Sequence, residues 1–159
     1  MMRYIGIVLV FVSLVYAGRY KAYTYRQRQK QLYSFAELTG YITSRIEFYN
    51  ERLDEIYADC PDCGIGGFIT QLRNGKDFTS ALEGMELYIN ADEKNVLSEF
   101  GSGLGKSLRE EQLRLCAYTS ERLKSSCDKC TAELPKQVKL AETLSLLAAF
   151  MAVRDRYPL

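Results

Sequence analysis

Four of the five cysteines stand in two C-x-x-C pairs, Cys60-Pro-Asp-Cys63 and Cys127-Asp-Lys-Cys130. Two such pairs are the formal recipe for a tetrahedral Cys₄ zinc site. A C-x-x-C pair is also the unit of thiol–disulfide exchange. The first pair falls in a turn-rich stretch, "DCPDCGIGG", where zinc knuckles are commonly built. Cys63 stands near the expected start of a helix, whose N-terminus lowers a thiol pKa, so it is the one candidate for a reactive thiol. The second pair lies in helical sequence, on the apolar face that carries Leu115, Thr119 and Leu123, with Cys116 nearby. There a free cysteine reads as a small buried hydrophobe. Core packing is the reading carried forward, and a structural disulfide conflicts with a reducing cytoplasm. A zinc-binding or thiol-redox module using Cys60, Cys63, Cys127 and Cys130 is the alternative function.

Residues 99–107, "EFGSGLGKS", pose a second chemical question. A phosphate-binding loop reads G-x-x-x-x-G-K-[ST], with glycines that let backbone N–H groups cradle phosphates and a lysine that reaches the outer ones. Gly105, Lys106 and Ser107 fit its end, but Phe100 stands where the first glycine belongs. The loop should also follow a buried parallel strand. What precedes it is "NADEKNVLSEF", which opens with Asn90 and Glu93 in capping-box spacing and continues with helix formers. The stretch therefore reads as a joint between helices, with Gly101 or Gly105 in the left-handed conformation. Ser107 is expected to cap the next helix, with Glu110 completing a second capping box.

Composition removes most other chemistry. The chain has no histidine, so it has no Ser-His-Asp triad, no Cys-His dyad and no imidazole metal ligand. Paired carboxylates occur only within charged helical faces, where solvated ion pairs are the default. A net charge of +1 gives no general attraction to nucleic acid. No catalytic, cofactor-binding or metal-binding residue is assigned. No cofactor, nucleic acid or small-molecule substrate is expected.

The elements that would position these residues are helical throughout. Tyr4–Gly18, "YIGIVLVFVSLVYAG", is apolar and uncharged, and Arg19, Lys21, Arg26, Arg28 and Lys30 follow it. A cleaved signal peptide with its cut after Ala17 and a buried core helix are alternatives. A membrane span is preferred: its fifteen residues cover roughly 22 Å. Tyrosines at 4, 16, 20, 23 and 25 can lengthen the reach into the headgroup belt. The basic excess places the chain beyond residue 18 in the cytoplasm.

Leu32, Phe35, Leu38, Ile42, Ile46, Tyr49, Leu53 and Ile56 recur at steps of three and four, one apolar stripe on a long helix or on two joined near Asn50. Short helices are expected at Phe68–Arg73 and Phe78–Ile89, then the Asn90 helix and the glycine joint. A last helix is expected from Ser107 past Cys130, with the stripe Leu108, Leu115, Thr119, Leu123, Cys127, Cys130 and Leu134. Pro135 should kink or break it. The uncharged run Thr143–Val153 is eleven residues, too short to span a bilayer alone. Leu140–Val153 is expected to be a helix without being an independent span.

The order of these segments resembles a known family. A short N-terminal span with a basic flank, a stripe ending in "YITSRIEFYNERLDEI", then "EKNVLSEFGSGLG" and a long helix with "EEQLRL" are similar to the stage III sporulation protein AB of endospore-forming bacteria. The family's E-x-x-VL-x-x-FG-x-x-LG stretch falls here on Glu93, Val96, Leu97, Phe100, Gly101, Leu104 and Gly105. The C-x-x-C pairs are not part of the resemblance. The resemblance implies a helical domain similar to the cytoplasmic domain of type II secretion inner-membrane platform proteins. It also implies a place in a mother cell–forespore channel complex, beside other sporulation channel proteins and a separately encoded secretion-type ATPase. The family usually closes with a second span, whereas here Glu142 interrupts and "RDRYPL" follows.

The expected fold is all-α, an N-terminal transmembrane helix followed by an antiparallel helical bundle. Residues 1–24 form the span and basic flank, 25–137 the cytoplasmic domain and 138–159 a short apolar, membrane-proximal helix. The expected function is a non-enzymatic, membrane-anchored assembly component, held at the cell membrane with most of the chain on the cytoplasmic, mother-cell side.

Overall fold

The computed structural model describes residues 2–49 and 51–154. Residues 2–11, 14, 15 and most positions from 134 onward are described in their backbone alone. Among the described residues six α-helices follow one another: α1 Met2–Ser44, α2 Leu53–Ala58, α3 Gly66–Arg73, α4 Phe78–Glu83, α5 Ala91–Gly103 and α6 Arg109–Arg154. Among the described residues there is no strand. The chain divides into two compact units, Arg28–Lys129 and the pair Met1–Gln27 with Cys130–Leu159.

The first stripe behaves as its spacing requires, up to a point. Leu32, Phe35, Leu38, Ile42 and Ile46 are all buried. The α-helical pattern then widens into one π-helical turn, Arg45–Tyr49. The wider turn rotates the following side chains out of phase with a 3.6-residue period. Tyr49, expected on the stripe, is consequently 66% exposed. The stripe resumes with Ile56 in α2, fully buried. The joint falls where it was expected, but the residue at the N-cap position of α2 is Arg52, and Asn50 lies outside the described residues.

The core of Arg28–Lys129 is built around four phenylalanines from four helices. Phe35 of α1 meets Phe68 of α3 edge-to-face at 5.5 Å between ring centroids. Phe68 meets Phe78 of α4 at 4.9 Å, and Phe78 meets Phe100 of α5 at 5.6 Å. Each such pair adds about 0.5–1.5 kcal/mol to the area it buries. Around them lie Ile69, Leu72, Ala81, Leu82 and Leu97, all buried.

Three expected boundaries move. α4 ends at Glu83 rather than Ile89, with Gly84 at its C-cap, and the irregular segment 84–90 that follows is tied to Gln31 of α1. The Gln31 amide donates to the Glu86 carbonyl at 2.7 Å and accepts from the Tyr88 N–H at 2.8 Å. α6 begins at Arg109, so Ser107 does not cap it; the Ser107 carbonyl instead accepts from the Gln112 side chain at 2.8 Å. Leu108, placed on the buried stripe by its spacing, is 78% exposed. The stripe that is buried on α6 runs Cys116, Thr119, Leu123, Cys127 and Cys130. Of the kink or break expected at Pro135, the break does not occur: α6 continues through it.

Tyr4–Gly18 is helical along its whole length, but most of its side chains lie outside the described residues, as do those of Leu140–Val153. Leu140–Val153 is helical, as expected. Among the described residues no helix is long and apolar enough to cross a membrane.

Candidate functional site

The two cysteine pairs occupy different settings. Cys60 is buried, and its thiol lies against that of Cys63, which is half-buried. The loop turns at Cys63 and Gly64, both at positive φ, 44° and 75°. The Ile65 N–H closes the turn by donating to the Asp62 carbonyl at 2.9 Å. A turn with both central residues left-handed belongs to the mirror-image class that favours Asn, Asp and Gly. Cys63 is therefore a turn residue held in a conformation uncommon for its type. Burial pushes the Cys60 thiol up to about 12. Burial also raises the Cys63 thiol, with the Glu37 carboxylate adding to the effect. This corrects the expectation for Cys63: its thiol is made less reactive at neutral pH, not more.

Cys127 and Cys130 are buried one turn apart on the apolar face of α6. None of the five cysteines is joined in a disulfide. Among the described residues no group of three or more His, Cys, Asp or Glu side chains could hold a metal ion. Cys60, Cys63, Cys127 and Cys130 do not form such a group.

Residues 99–107 are a helix ending and a turn. α5 runs on through Gly101 to Gly103, and the Leu104 N–H donates to the Phe100 carbonyl at 3.0 Å. Of the two glycines expected at positive φ, Gly105 is the one, at 75°. Gly101 has a different reason to be glycine: a Cβ there would run into the Phe78 ring. Lys106 and its side chain are exposed. Phe100 and Leu104 are buried. The stretch locks α5 to α4 and starts the approach to α6; it presents no phosphate cradle.

The capping box at the head of α5 is made as its spacing predicts. The Asn90 side chain accepts from the Glu93 N–H at 2.8 Å, and the Glu93 carboxylate accepts from the Asn90 N–H at 2.9 Å. What spacing did not reveal is the second task of Glu93. Its carboxylate, 4% exposed, also takes a two-pronged hydrogen bond from Arg28 of α1, 2.7 Å from Nη2 and 3.3 Å from Nε. One buried charge thus closes the helix start and ties it to α1, which a planar guanidinium is suited to do.

A further exposed feature surrounds the π-helical turn. Arg109 donates to the Ile46 carbonyl at 3.3 Å and to the Glu47 carbonyl at 2.5 Å. It holds α6 beside that turn, where the wide hydrogen-bond pattern leaves carbonyls available. The Arg45 guanidinium lies between the rings of Tyr41 and Tyr49, at 5.2 and 5.3 Å, and bonds to Glu51 at 2.9 Å. Phe48, Tyr49 and Leu108 face solvent. Aromatic residues and arginine are the types enriched at protein interfaces.

No curated protein and no solved structure matches the chain. A family model does: the model for stage III sporulation protein AB aligns with residues 3–153. That span covers α2 to α5 and all but one terminal residue each of α1 and α6, and it includes the "EKNVLSEFGSGLG" stretch, whose Glu93, Phe100, Gly101 and Gly105 each have a distinct structural task. The chain therefore belongs to the stage III sporulation protein AB family.

Proposed function

We propose that the chain is a non-enzymatic assembly component, anchored in the cell membrane, of a secretion-like channel that forms between mother cell and forespore. Family membership, which implies a role at stage III of sporulation, is the observation that carries this reading. In this reading the uncharged Tyr4–Gly18 segment is the anchor, Arg19 to Lys30 stay on the cytoplasmic, mother-cell side, and a helical bundle stands at the membrane face. The exposed tyrosines at 16, 20 and 23 suit a headgroup belt. The partners are other channel proteins and a secretion-type ATPase that supplies the energy this chain does not.

The mechanism is geometric. Four helices interlocked through Phe35, Phe68, Phe78 and Phe100 form a stiff body, and stiffness lowers the entropic cost of docking.

The test is purification of the tagged full chain from detergent-solubilised sporulating cells. Channel proteins and the ATPase should be retained. Their absence, with the chain intact and recovered from the membrane fraction, rejects the assembly role. Topology is read separately. A membrane-impermeant thiol label outside intact cells should miss a cysteine placed at Gln29 and reach one placed at Met2.

A further inference from the structure

We infer that the cleft between the start of α5 and the facing surface of α6 is a seat for a carboxylate, presented by an acidic side chain of a protein partner. The inference rests on the assembly reading and names one surface that reading would use. The cleft has a volume of about 150 Å³ and opens to solvent. Val96 and Leu123 lie at its apolar base and are buried. Its polar wall is charged.

The charges decide what fits. Arg28 and Glu93 neutralise each other through their two-pronged contact. Arg122 and Lys129 of α6 also line the cleft, and among the described residues neither makes an ion pair or side-chain hydrogen bond. They stand seven residues apart, two turns or about 10 Å along one helix face. Ser126 lies between them on that face and offers a hydroxyl donor. Across from them Asp92 is the one lining acid that has no ion-pair partner among the described residues. Two unpaired cations against one unpaired carboxylate leave a single positive charge unmatched. A singly charged carboxylate balances it. A phosphate dianion overshoots it and meets Asp92 and Glu93 as like charges at short range. The open side admits a side chain carried on another protein.

The probe is fluorescein-labelled hexaglutamate, its binding to the full chain in non-ionic detergent followed by anisotropy. The Arg122→Glu, Lys129→Glu double variant should bind about tenfold more weakly than the parent, since reversing charges that meet a partner's charge costs affinity directly. Asp92→Asn should bind about threefold more tightly, because the one opposing charge is gone. Lys124→Glu makes the same charge change on the other side of α6 and should alter binding less than about twofold.

Equal loss in Lys124→Glu would mean a general charge effect and would overturn the proposal. Displacement of the peptide by an equal concentration of inorganic phosphate would assign the cleft to a free oxyanion and overturn it. Binding to phosphatidylglycerol vesicles that depends on Arg122 and Lys129, without hexaglutamate binding, would assign it to lipid and overturn it. No binding by the parent chain overturns it as well. A parent chain that retains the channel proteins yet ignores hexaglutamate rejects the cleft and leaves the assembly reading standing. Binding through the cleft with no channel protein retained supports the cleft and rejects the assembly reading.

Discussion

Gly101 of α5 lies directly against the ring of Phe78 in α4, and the space a Cβ would take at Gly101 is already filled by that ring. The contact sets how closely the two helices approach, because Phe78 is wedged between Phe68 and Phe100 and has little room to yield. Gly101→Ala should therefore destabilise the chain by about 1–3 kcal/mol, the usual result of overpacking a filled core. Gly105→Ala should cost about 1–2 kcal/mol for a different reason, its φ of 75°. Gly67→Ala is the control. Its Cβ meets nothing within 4 Å, and in helix α3 the change should gain up to about 1 kcal/mol. Urea unfolding followed by circular dichroism orders the three. Equal stability of Gly101→Ala and Gly67→Ala would show that the Phe78 contact is slack.

Arg28 is the only partner described for the buried Glu93 outside its own capping box. Arg28→Ala should destabilise by about 1–3 kcal/mol, since it leaves a buried carboxylate with part of its hydrogen bonding undone. Arg28→Lys should recover only part of this, because an ammonium cannot make the two-pronged contact. Full recovery by lysine would show that charge alone matters at this position.

The Thr119 hydroxyl is fully buried on α6 and has no hydrogen-bond partner among the described residues. Thr119→Val keeps the shape and removes the unpaired polar atom, so it should stabilise by about 1 kcal/mol. A loss of stability in thermal unfolding would mean that the hydroxyl is satisfied in solution.

The Cys60 thiol keeps its proton up to about pH 12 in the folded chain, against an ordinary value of 9.0. Between those values the unfolded chain has released a proton that the folded chain retains, so stability should fall as pH rises through the window. Cys60→Ala should flatten that part of the profile. At pH 8 alkylation of Cys60 by iodoacetamide should be much slower than that of free cysteine. Cys63→Gly should keep or raise stability, because φ of 44° suits glycine. Rapid alkylation of Cys60 in the folded chain would reopen the thiol-redox reading.

Lys106 is exposed on the joint. Lys106→Ala should leave stability within about 0.5 kcal/mol of the parent. Isothermal titration with Mg-ATP should show no binding to either chain; binding to the parent that the variant loses would restore the phosphate-loop reading of "EFGSGLGKS".

The sequence by itself determined which segments are helical and where their strongest local signals lie. Asn90 and Glu93 announce a capping box because that bond pattern is made within four residues. Leu32 to Ile46 announce a buried face because one helix period repeats through them. Tertiary structure decided what local signals cannot carry. The backbone beyond α4 is tied at Glu86 and Tyr88 to Gln31, more than fifty residues away. The π-helical turn, which exposes Tyr49 and meets Arg109, left no trace in the hydrophobic spacing. The spacing of Cys60, Cys63, Cys127 and Cys130 allowed a metal site, but a ligand set must converge in space, and only the fold set where each pair lies. The two glycines of the joint look alike in sequence. One answers to a backbone angle and the other to a phenylalanine ring on another helix, a contact that exists only once α4 and α5 have packed.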